Sequence, residues 1–369
     1  MTADRPLRTA DFDYELPPEL VAQEPAAERS SSRLLMVVRG EWRRNSGSWR
    51  RTDPLPGDHR AVGDAVLVDS HFAHVASLIP AGDLLVLNTT KVRHARLLGT
   101  RPSGAPAEVL LIQPCADESW IAMGKPGSAL QPGKRIALAP GAEVETVEVL
   151  PDGTRRVRFV GVSAADAVAR FGRLPLPPYI TRDPDAADEV RYQTVYARQE
   201  GSVAAPTAGL HFTAEILDAL SAKGVLIAGL DLEVGPGTFK PVETDDPTEH
   251  RMHPERYDIP HRLAALIEVV REHAGRVWAV GTTVVRALES SADAEGRVRP
   301  GAAETSLMIT PGYSFRVVDR LITNFHLPRS TLLMLVSAFA GRELTLAAYR
   351  HAVAQHYRFY SYGDAMVIL

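Results

Sequence analysis

Two loops of the chain place a histidine among small or polar residues, where it could move a proton. Residues 204–212 contain His211, and residues 323–330 contain His326 beside an amide, a guanidinium group and a hydroxyl. Because histidine titrates near neutral pH, both side chains are candidate general bases or acids. A lone loop histidine is also common as a structural hydrogen-bonding group, so the residue type alone leaves both interpretations open.

Two further loops offer backbone and hydroxyl groups. Residues 233–239 contain two glycines, which let the main chain approach a ligand closely. Residues 280–283 run into a predicted helix, whose free N–H groups could hold a carboxylate or a phosphate. Neither loop has the GxGxxG spacing of a dinucleotide site. A tight turn in the first loop, and helix capping by Thr282 or Thr283 in the second, are the simpler alternatives.

A metal site is a weak alternative. His250 and His253 lie three residues apart and are followed by Pro254, whereas zinc enzymes commonly use two histidines at i and i+4 of a helix. The single cysteine, Cys115, excludes a disulfide framework and a cysteine-based zinc cluster. We therefore expect no metal, and a metal hydrolase built on His250 and His253 stays a minor alternative.

Composition narrows the class of protein. The 369 residues are 45% hydrophobic and 23% charged, with a net charge of -4, which indicates a globular chain of about two domains. This charge excludes a basic nucleic-acid binder but allows a local basic groove. No secretory apolar segment opens the chain, and the apolar run at residues 331–341 is shorter than the about 20 residues that a bilayer needs. We expect a cytoplasmic protein that does not contact a membrane.

The pattern of elements predicts where these loops lie. Short apolar runs broken by turn residues fill the middle of the chain, and strands alternate with helices after Ser163. We therefore predict a mixed-sheet α/β domain formed by residues 1–82 and 163–369, with an inserted antiparallel β-barrel at residues 83–162. Ligands of open α/β sheets bind at the carboxyl ends of the strands, where the four loops are expected.

Taken together, these segments resemble the S-adenosylmethionine:tRNA ribosyltransferase-isomerase family of queuosine biosynthesis. The matches are ordered along most of the chain, which makes them far more specific than a short motif. They are residues 12–17, 28–35, 83–88, 176–180, 192–196, 204–212, 233–239, 250–255, 280–290, 321–341 and 357–366.

The resemblance implies a fold and a reaction. The fold is an α/β domain that carries an inserted β-barrel. In the reaction, the ribosyl part of S-adenosylmethionine moves to 7-aminomethyl-7-deazaguanine at the tRNA wobble position. Isomerisation then gives epoxyqueuosine, and adenine and methionine are released. S-adenosylmethionine is thus a ribosyl donor, and no metal is implied.

The same resemblance implies roles for individual side chains. His211 and His326 are the candidate base and acid, with His253 in reserve, and Glu233 could pair with the ammonium or sulfonium charge. The other predicted substrate-binding residues contact the nucleoside or the methionine carboxylate. They are Thr207, Gly235, Gly237, Thr238, Thr282, Thr283 and Asn324.

The expected partner is tRNA, bound by a monomer. A basic groove near the domain junction would hold it, formed by Arg29, Arg33, Lys91, Arg93 and Arg96. Residues 39–60, where arginines alternate with tryptophans, are either a surface loop or a second RNA contact.

One segment departs from the family pattern. Residues 88–96 carry Thr89 in place of an amide or acid, and Arg93 and His94 in place of an Ile-Pro pair. A divergent paralogue with another acceptor therefore stays an alternative, as does a non-catalytic nucleoside- or RNA-binding protein of the same fold.

Overall fold

The computed structural model describes residues 6–39, 59–235 and 242–369. The strands in these ranges are β1 (Arg33–Val38), β2 (His59–Val62), β3 (Ala65–His71), β4 (Leu84–Asn88), β5 (Thr90–Val92), β6 (Arg96–Thr100), β7 (Pro106–Pro114), β8 (Trp120–Lys125), β9 (Arg135–Ala139), β10 (Ala142–Val149), β11 (Arg155–Val160), β12 (Gly172–Arg173), β13 (Gln199–Ser202), β14 (Leu226–Leu232), β15 (Glu255–Ile259), β16 (Val277–Val280), β17 (Gly301–Thr305), β18 (Arg320–Asn324) and β19 (Ala365–Ile368). The helices are α1 (Val75–Leu78), α2 (Ala164–Phe171), α3 (Ala186–Arg191), α4 (Ala214–Ala222), α5 (His261–Glu272), α6 (Thr282–Ser291), α7 (Thr331–Ala340) and α8 (Arg342–Ala354).

A ten-stranded mixed sheet joins the two ends of the chain, with the order β17-β15-β14-β4-β16-β18-β19-β1-β3-β2. Strands β14, β4, β16 and β18 run parallel to their neighbours in this group, and the outer strands are mostly antiparallel. The predicted mixed-sheet α/β class is therefore confirmed.

Both faces of this sheet are buried, which explains why its central strands are continuous apolar runs. On β4, Leu84 and Val86 pack into the core that contains α5, α6, α7 and α8. The alternate residues Leu85 and Leu87 pack into the core that contains α1 and α4. Because successive side chains of a strand point to opposite faces of the sheet, β4 contributes residues to both cores.

A second, antiparallel sheet has seven strands, in the order β12-β6-β7-β8-β11-β10-β9. Strands β6 and β9 also pair where Thr100 lies opposite Ala137, and the sheet has an apolar core of its own. This sheet spans residues 96–173, which differs from the predicted 83–162. The difference arises because β4, buried on both faces, belongs to the centre of the large sheet.

Three parallel strands bring the predicted ligand loops to one edge. Strands β14, β16 and β18 end at Leu232, Val280 and Asn324, and each is followed by one of these loops. The sequence pattern predicts a strand at residues 316–324, but β18 starts only at Arg320. The backbone N–H groups of Val317 and Val318 bind a Glu289 carboxylate oxygen instead, both at 3.0 Å.

No single helix in the described ranges is long and apolar enough to cross a membrane. Helices α7 and α8 reach that length and composition only as a pair, and the pair is bent by 114°.

Candidate active site

The carboxyl ends of the parallel strands enclose a pocket of about 630 Å³, counted to its open mouth. Its lining consists of loop residues, the end of β18 and the first residues of α6 and α7. The described lining residues are Tyr179, Ala205, Pro206, Thr207, Ala208, Val234, Gly281, Thr282, Thr283, Thr323, Asn324, Phe325, His326, Leu327, Ser330, Leu332, Tyr360 and Ser361. We call this the strand-end pocket.

Five of the predicted site residues line the strand-end pocket, namely Thr207, Thr282, Thr283, Asn324 and His326. The other predicted site residues lie outside this pocket or outside the described residues. His253 is half-exposed and faces Asp152, in the turn between β10 and β11, at 3.9 Å. Glu233 lies near Arg93, and the Gly235 N–H donates to Glu255 at 3.2 Å. Gly237 and Thr238 lie outside the described residues.

His326 is held on several sides. Its Nε2 lies 2.8 Å from the Thr323 hydroxyl, its backbone N–H donates to the Tyr349 hydroxyl at 3.0 Å, and its carbonyl accepts from the Tyr14 hydroxyl at 2.5 Å. Burial lowers the pKa of His326 to about 3. The imidazole is therefore neutral at pH 7, and it is the one imidazole among the described lining residues.

His211 lies behind the wall of the strand-end pocket, with both ring nitrogens engaged. Its Nε2 accepts from the Asn324 amide nitrogen at 3.1 Å, and its Nδ1 lies 2.8 Å from the Ser32 hydroxyl. The amide nitrogen is assigned by its second partner, the Tyr360 carbonyl, which can only accept. The proton of His211 is therefore on Nδ1 and is donated to Ser32.

These hydrogen bonds make His211 a positioning residue. Burial, with a smaller contribution from the Arg29 charge, lowers the pKa of His211 to about 3. A neutral ring with both nitrogens bonded to protein has no free atom for a substrate proton. What it does is orient the amide of Asn324.

Asn324, which lines the strand-end pocket, has an unused acceptor. Its amide nitrogen donates to His211 and to the Tyr360 carbonyl, and only 2% of the residue is exposed. Its Oδ1 is buried and has no hydrogen-bond partner among the described residues. Since a buried unpaired acceptor costs about 1–3 kcal/mol, the oxygen is suited to an N–H or O–H donor on a ligand.

The start of α6 offers a site for an anion. Gly281 precedes the helix with φ 91°, and no side chain caps it, so the predicted capping by Thr282 or Thr283 is absent. The Thr283 hydroxyl is buried and unpaired among the described residues. Free N–H groups and a free hydroxyl at a helix N-terminus can hold a carboxylate.

Aromatic residues that the sequence analysis did not select form another wall. The rings of Tyr179 and Tyr360 lie 4.6 Å apart, and the Tyr179 hydroxyl contacts Ser361 at 2.5 Å. Tyr360 has φ 71°, a conformation that bulky residues rarely adopt and that often marks a functional site. These residues lie in segments 176–180 and 357–366, whose resemblance to the family is the sequence signal that could have identified them.

Most side chains of the predicted basic groove have partners within the protein. Arg33 contacts Asp69 at 3.4 Å, Lys91 contacts Glu200 at 3.2 Å, and Arg96 contacts Glu108 at 2.9 Å. Arg93 is only 9% exposed and lies over the Trp120 ring. Arg29 binds main-chain carbonyl groups, as described below.

The segment that departs from the family pattern lies outside the strand-end pocket. The Thr89 hydroxyl donates to Asp231 at 2.6 Å, and His94 contacts Glu189 at 2.6 Å. The Arg93 guanidinium group donates to the Gly201 carbonyl. All three departures thus have partners within the chain. Residues 40–58, most of the predicted second RNA contact, lie outside the described ranges.

Within the described ranges, no three His, Cys, Asp or Glu side chains are grouped so that they could hold a metal ion.

The comparisons identify the family. The family model described as "Queuosine biosynthesis protein" matches residues 9–368. The chain belongs to the S-adenosylmethionine:tRNA ribosyltransferase-isomerase family of queuosine biosynthesis. The resemblance inferred from the sequence is thereby confirmed, and the chain is an enzyme of this family.

Relatives of that name cover nearly the whole chain. One from Symbiobacterium thermophilum is 48% identical over 98% of this chain and 100% of its own. One from Paraburkholderia xenovorans is 50% identical over 98% of both chains. A crystal structure titled S-adenosylmethionine tRNA ribosyltransferase, from Thermotoga maritima, is 33% identical, with a TM-score of 0.51 over 97% of this chain and 100% of its own.

The two buried histidines predict a loss of stability in acid. Their folded pKa of about 3 lies below the ordinary 6.5, so the unfolded chain binds more protons between these values. Each histidine then lowers the free energy of unfolding by about 1.4 kcal/mol per pH unit as the pH falls through about 6 to 5. Urea denaturation of wild type and His211→Gln should show a shallower pH slope in the variant. Equal slopes would contradict a neutral buried His211.

Proposed function

We propose that the enzyme transfers the ribosyl part of S-adenosylmethionine to 7-aminomethyl-7-deazaguanine at the tRNA wobble position and isomerises it. The products are epoxyqueuosine in tRNA, adenine and methionine. The observation that carries the proposal is the strand-end pocket, in which a neutral histidine lies beside two buried polar groups without a partner among the described residues, the Asn324 Oδ1 acceptor and the Thr283 hydroxyl. Membership of the family supports the same reaction.

The strand-end pocket suits the charges of S-adenosylmethionine. The uncapped start of α6, with Thr282 and Thr283, fits the methionine carboxylate. No carboxylate is among the described lining residues, so the sulfonium charge needs another partner. The rings of Tyr179 and Tyr360 provide one, because cations are attracted to aromatic faces.

His326 is the proposed base. The sulfonium acidifies the neighbouring ribose carbon, so a neutral imidazole can remove a proton from it. The C–H electron pair stays on the carbon, and the proton moves to the imidazole. The Thr323 hydroxyl, 2.8 Å from Nε2, orients the ring. The proton on His326 is then available to the departing adenine.

Asn324 is the proposed acceptor for a nitrogen donor. Its Oδ1 cannot take a proton at neutral pH, but it can hold an N–H group in one orientation. Adenine carries such a group as its exocyclic amine. Held this way, the base presents its ring nitrogens to other donors as the bond to the sugar breaks.

Several finer points stay predictions. We propose that the seven-stranded sheet closes into a barrel, on the strength of the contact between β6 and β9. A cytoplasmic location and a monomeric state are predictions from the sequence. A divergent paralogue with another acceptor is less favoured, because Thr89, Arg93 and His94 do not line the strand-end pocket.

One assay tests donor, acceptor and reaction type together. The enzyme is mixed with S-adenosylmethionine and tRNA that carries 7-aminomethyl-7-deazaguanine, and released adenine is measured by chromatography. Adenine should form in proportion to modified tRNA, and tRNA with unmodified guanine is the control. Transfer of the methyl group alone, or adenine release independent of tRNA, would contradict the proposal.

A further inference from the structure

A second pocket, of about 270 Å³ counted to its open mouth, adjoins the strand-end pocket. Its lining consists of Pro25, Ala26, Arg29, Ser32, Arg191, Leu210, His211, Ser361, Tyr362 and Gly363. The two pockets share Ser361, and the His211–Asn324 hydrogen bond joins the lining of one to that of the other. We call the second one the arginine pocket.

Among its described lining residues, the arginine pocket holds two positive charges and no negative one. Arg29 donates to the carbonyl groups of Val190 at 2.7 Å, Leu210 at 3.1 Å and Arg191 at 3.3 Å. Arg191 donates to the Ala27 carbonyl at 3.0 Å, and its Nε is buried without a partner among the described residues. Within those residues, neither guanidinium group forms an ion pair.

The absence of a carboxylate partner contrasts with two other arginines. Arg182 nearby pairs with Asp188, and the buried Arg286 pairs with Glu255. Around Arg29, burial and the adjacent Arg191 charge both lower the pKa of the guanidinium group. Two neighbouring cations in a partly buried space are unfavourable unless an anion joins them. The donors that remain free on both side chains can bind one.

We propose that the arginine pocket binds a phosphate group of the RNA strand, beside the nucleotide whose base enters the strand-end pocket. This rests on the proposed function. An RNA strand carries one negative charge per nucleotide, so a base delivered to one pocket brings phosphates to the next. Guanidinium groups suit phosphate because their planar donors bind two of its oxygens at once.

A phosphate in this pocket would also be coupled to the active site. Arg29 holds the Leu210 carbonyl, and the next residue is His211, which orients Asn324. Charge neutralisation at Arg29 thus acts on the loop behind the strand-end pocket. The loop with Leu210 and His211 thus contacts both Arg29, which would bind the RNA phosphate, and the Asn324 amide.

The first test is tRNA affinity as a function of salt. Arg191→Ala should raise the Kd for tRNA by about tenfold and reduce the slope of log affinity against log salt by about one. Binding of S-adenosylmethionine should not change. Arg350→Ala, which removes the same charge from an exposed position on α8, is the control and should leave both quantities unaltered. Arg191→Lys should restore part of the affinity.

The second test neutralises the RNA instead of the protein. Anticodon stem-loops are prepared with a single methylphosphonate at each phosphate near the target nucleotide. One of these modified stem-loops should bind wild type about tenfold more weakly than the unmodified stem-loop does. The same stem-loop should bind Arg191→Ala no more weakly than it binds wild type, because the phosphate and Arg191 form one contact that either change removes.

The outcomes separate the two proposals. Wild type that releases no adenine would overturn the proposed function. An active wild type for which no methylphosphonate matters would overturn only the phosphate site, as would equal losses in wild type and Arg191→Ala. The wild-type measurements need no variant to fold.

Discussion

Replacement of His326 by Gln should lower kcat for adenine release by a hundredfold or more, the usual size of a lost acid–base contribution. Glutamine keeps a polar group near Nε2 but cannot accept a proton at neutral pH. The KM for S-adenosylmethionine should stay within about threefold, because the α6 terminus and the aromatic wall are untouched. Initial rates of adenine release at saturating tRNA measure both quantities.

The control for this variant is another histidine. His261 is exposed at the start of α5 and outside both pockets, so His261→Gln should leave kcat unchanged. Full activity in His326→Gln would remove the residue from the mechanism. A rise in KM with kcat preserved would make it a binding residue instead.

The pH profile gives a second view of His326. With a pKa lowered to about 3, the free base stays deprotonated as the pH falls from about 7 to about 5. The profile of kcat/KM in this range should therefore lack the inflection near 6.5 of an ordinary histidine. An inflection there that disappears in His326→Gln would show that the ring titrates normally.

Local sequence was sufficient for the parts of the fold that depend on local pattern. Residues 84–87 and 277–280 are uninterrupted apolar runs, typical of strands buried on both faces, and the apolar run at residues 331–341 corresponds to the largely buried helix α7. The four loops were predicted for a similar reason. Small and polar residues that follow such strands must lie at one edge of a parallel sheet.

The unpredicted features depend on contacts between distant residues. Ser32 and Asn324 determine the state of His211, yet they lie 179 and 113 positions away from it. The sequence also does not reveal the carboxylate partners of Arg33 and Arg96. A basic groove was therefore predicted where most charges are paired. The backbone conformation of Tyr360 has no sequence signal, because tyrosine rarely adopts it.

The pair of His211 and Asn324 gives the other large expected effect. Asn324→Leu keeps the side-chain size but removes Oδ1 from the strand-end pocket and leaves His211 Nε2 and the Tyr360 carbonyl unpaired. We expect kcat/KM to fall by about a hundredfold to a thousandfold, as when a preorganised hydrogen-bonding group is removed. Single-turnover adenine release measures the loss, and thermal unfolding reports the part that comes from destabilisation.

His211 should act only through that amide, and its substitutions can show this. Glutamine places an acceptor near Nε2, so His211→Gln should retain activity within about fivefold, whereas His211→Leu should lose about tenfold or more because the Asn324 amide is no longer held. In the Asn324→Leu background, His211→Leu should cost almost nothing further, since coupled residues are not additive. A general-base role for His211 predicts the opposite pattern, in which Gln and Leu are equally inactive whatever residue occupies position 324.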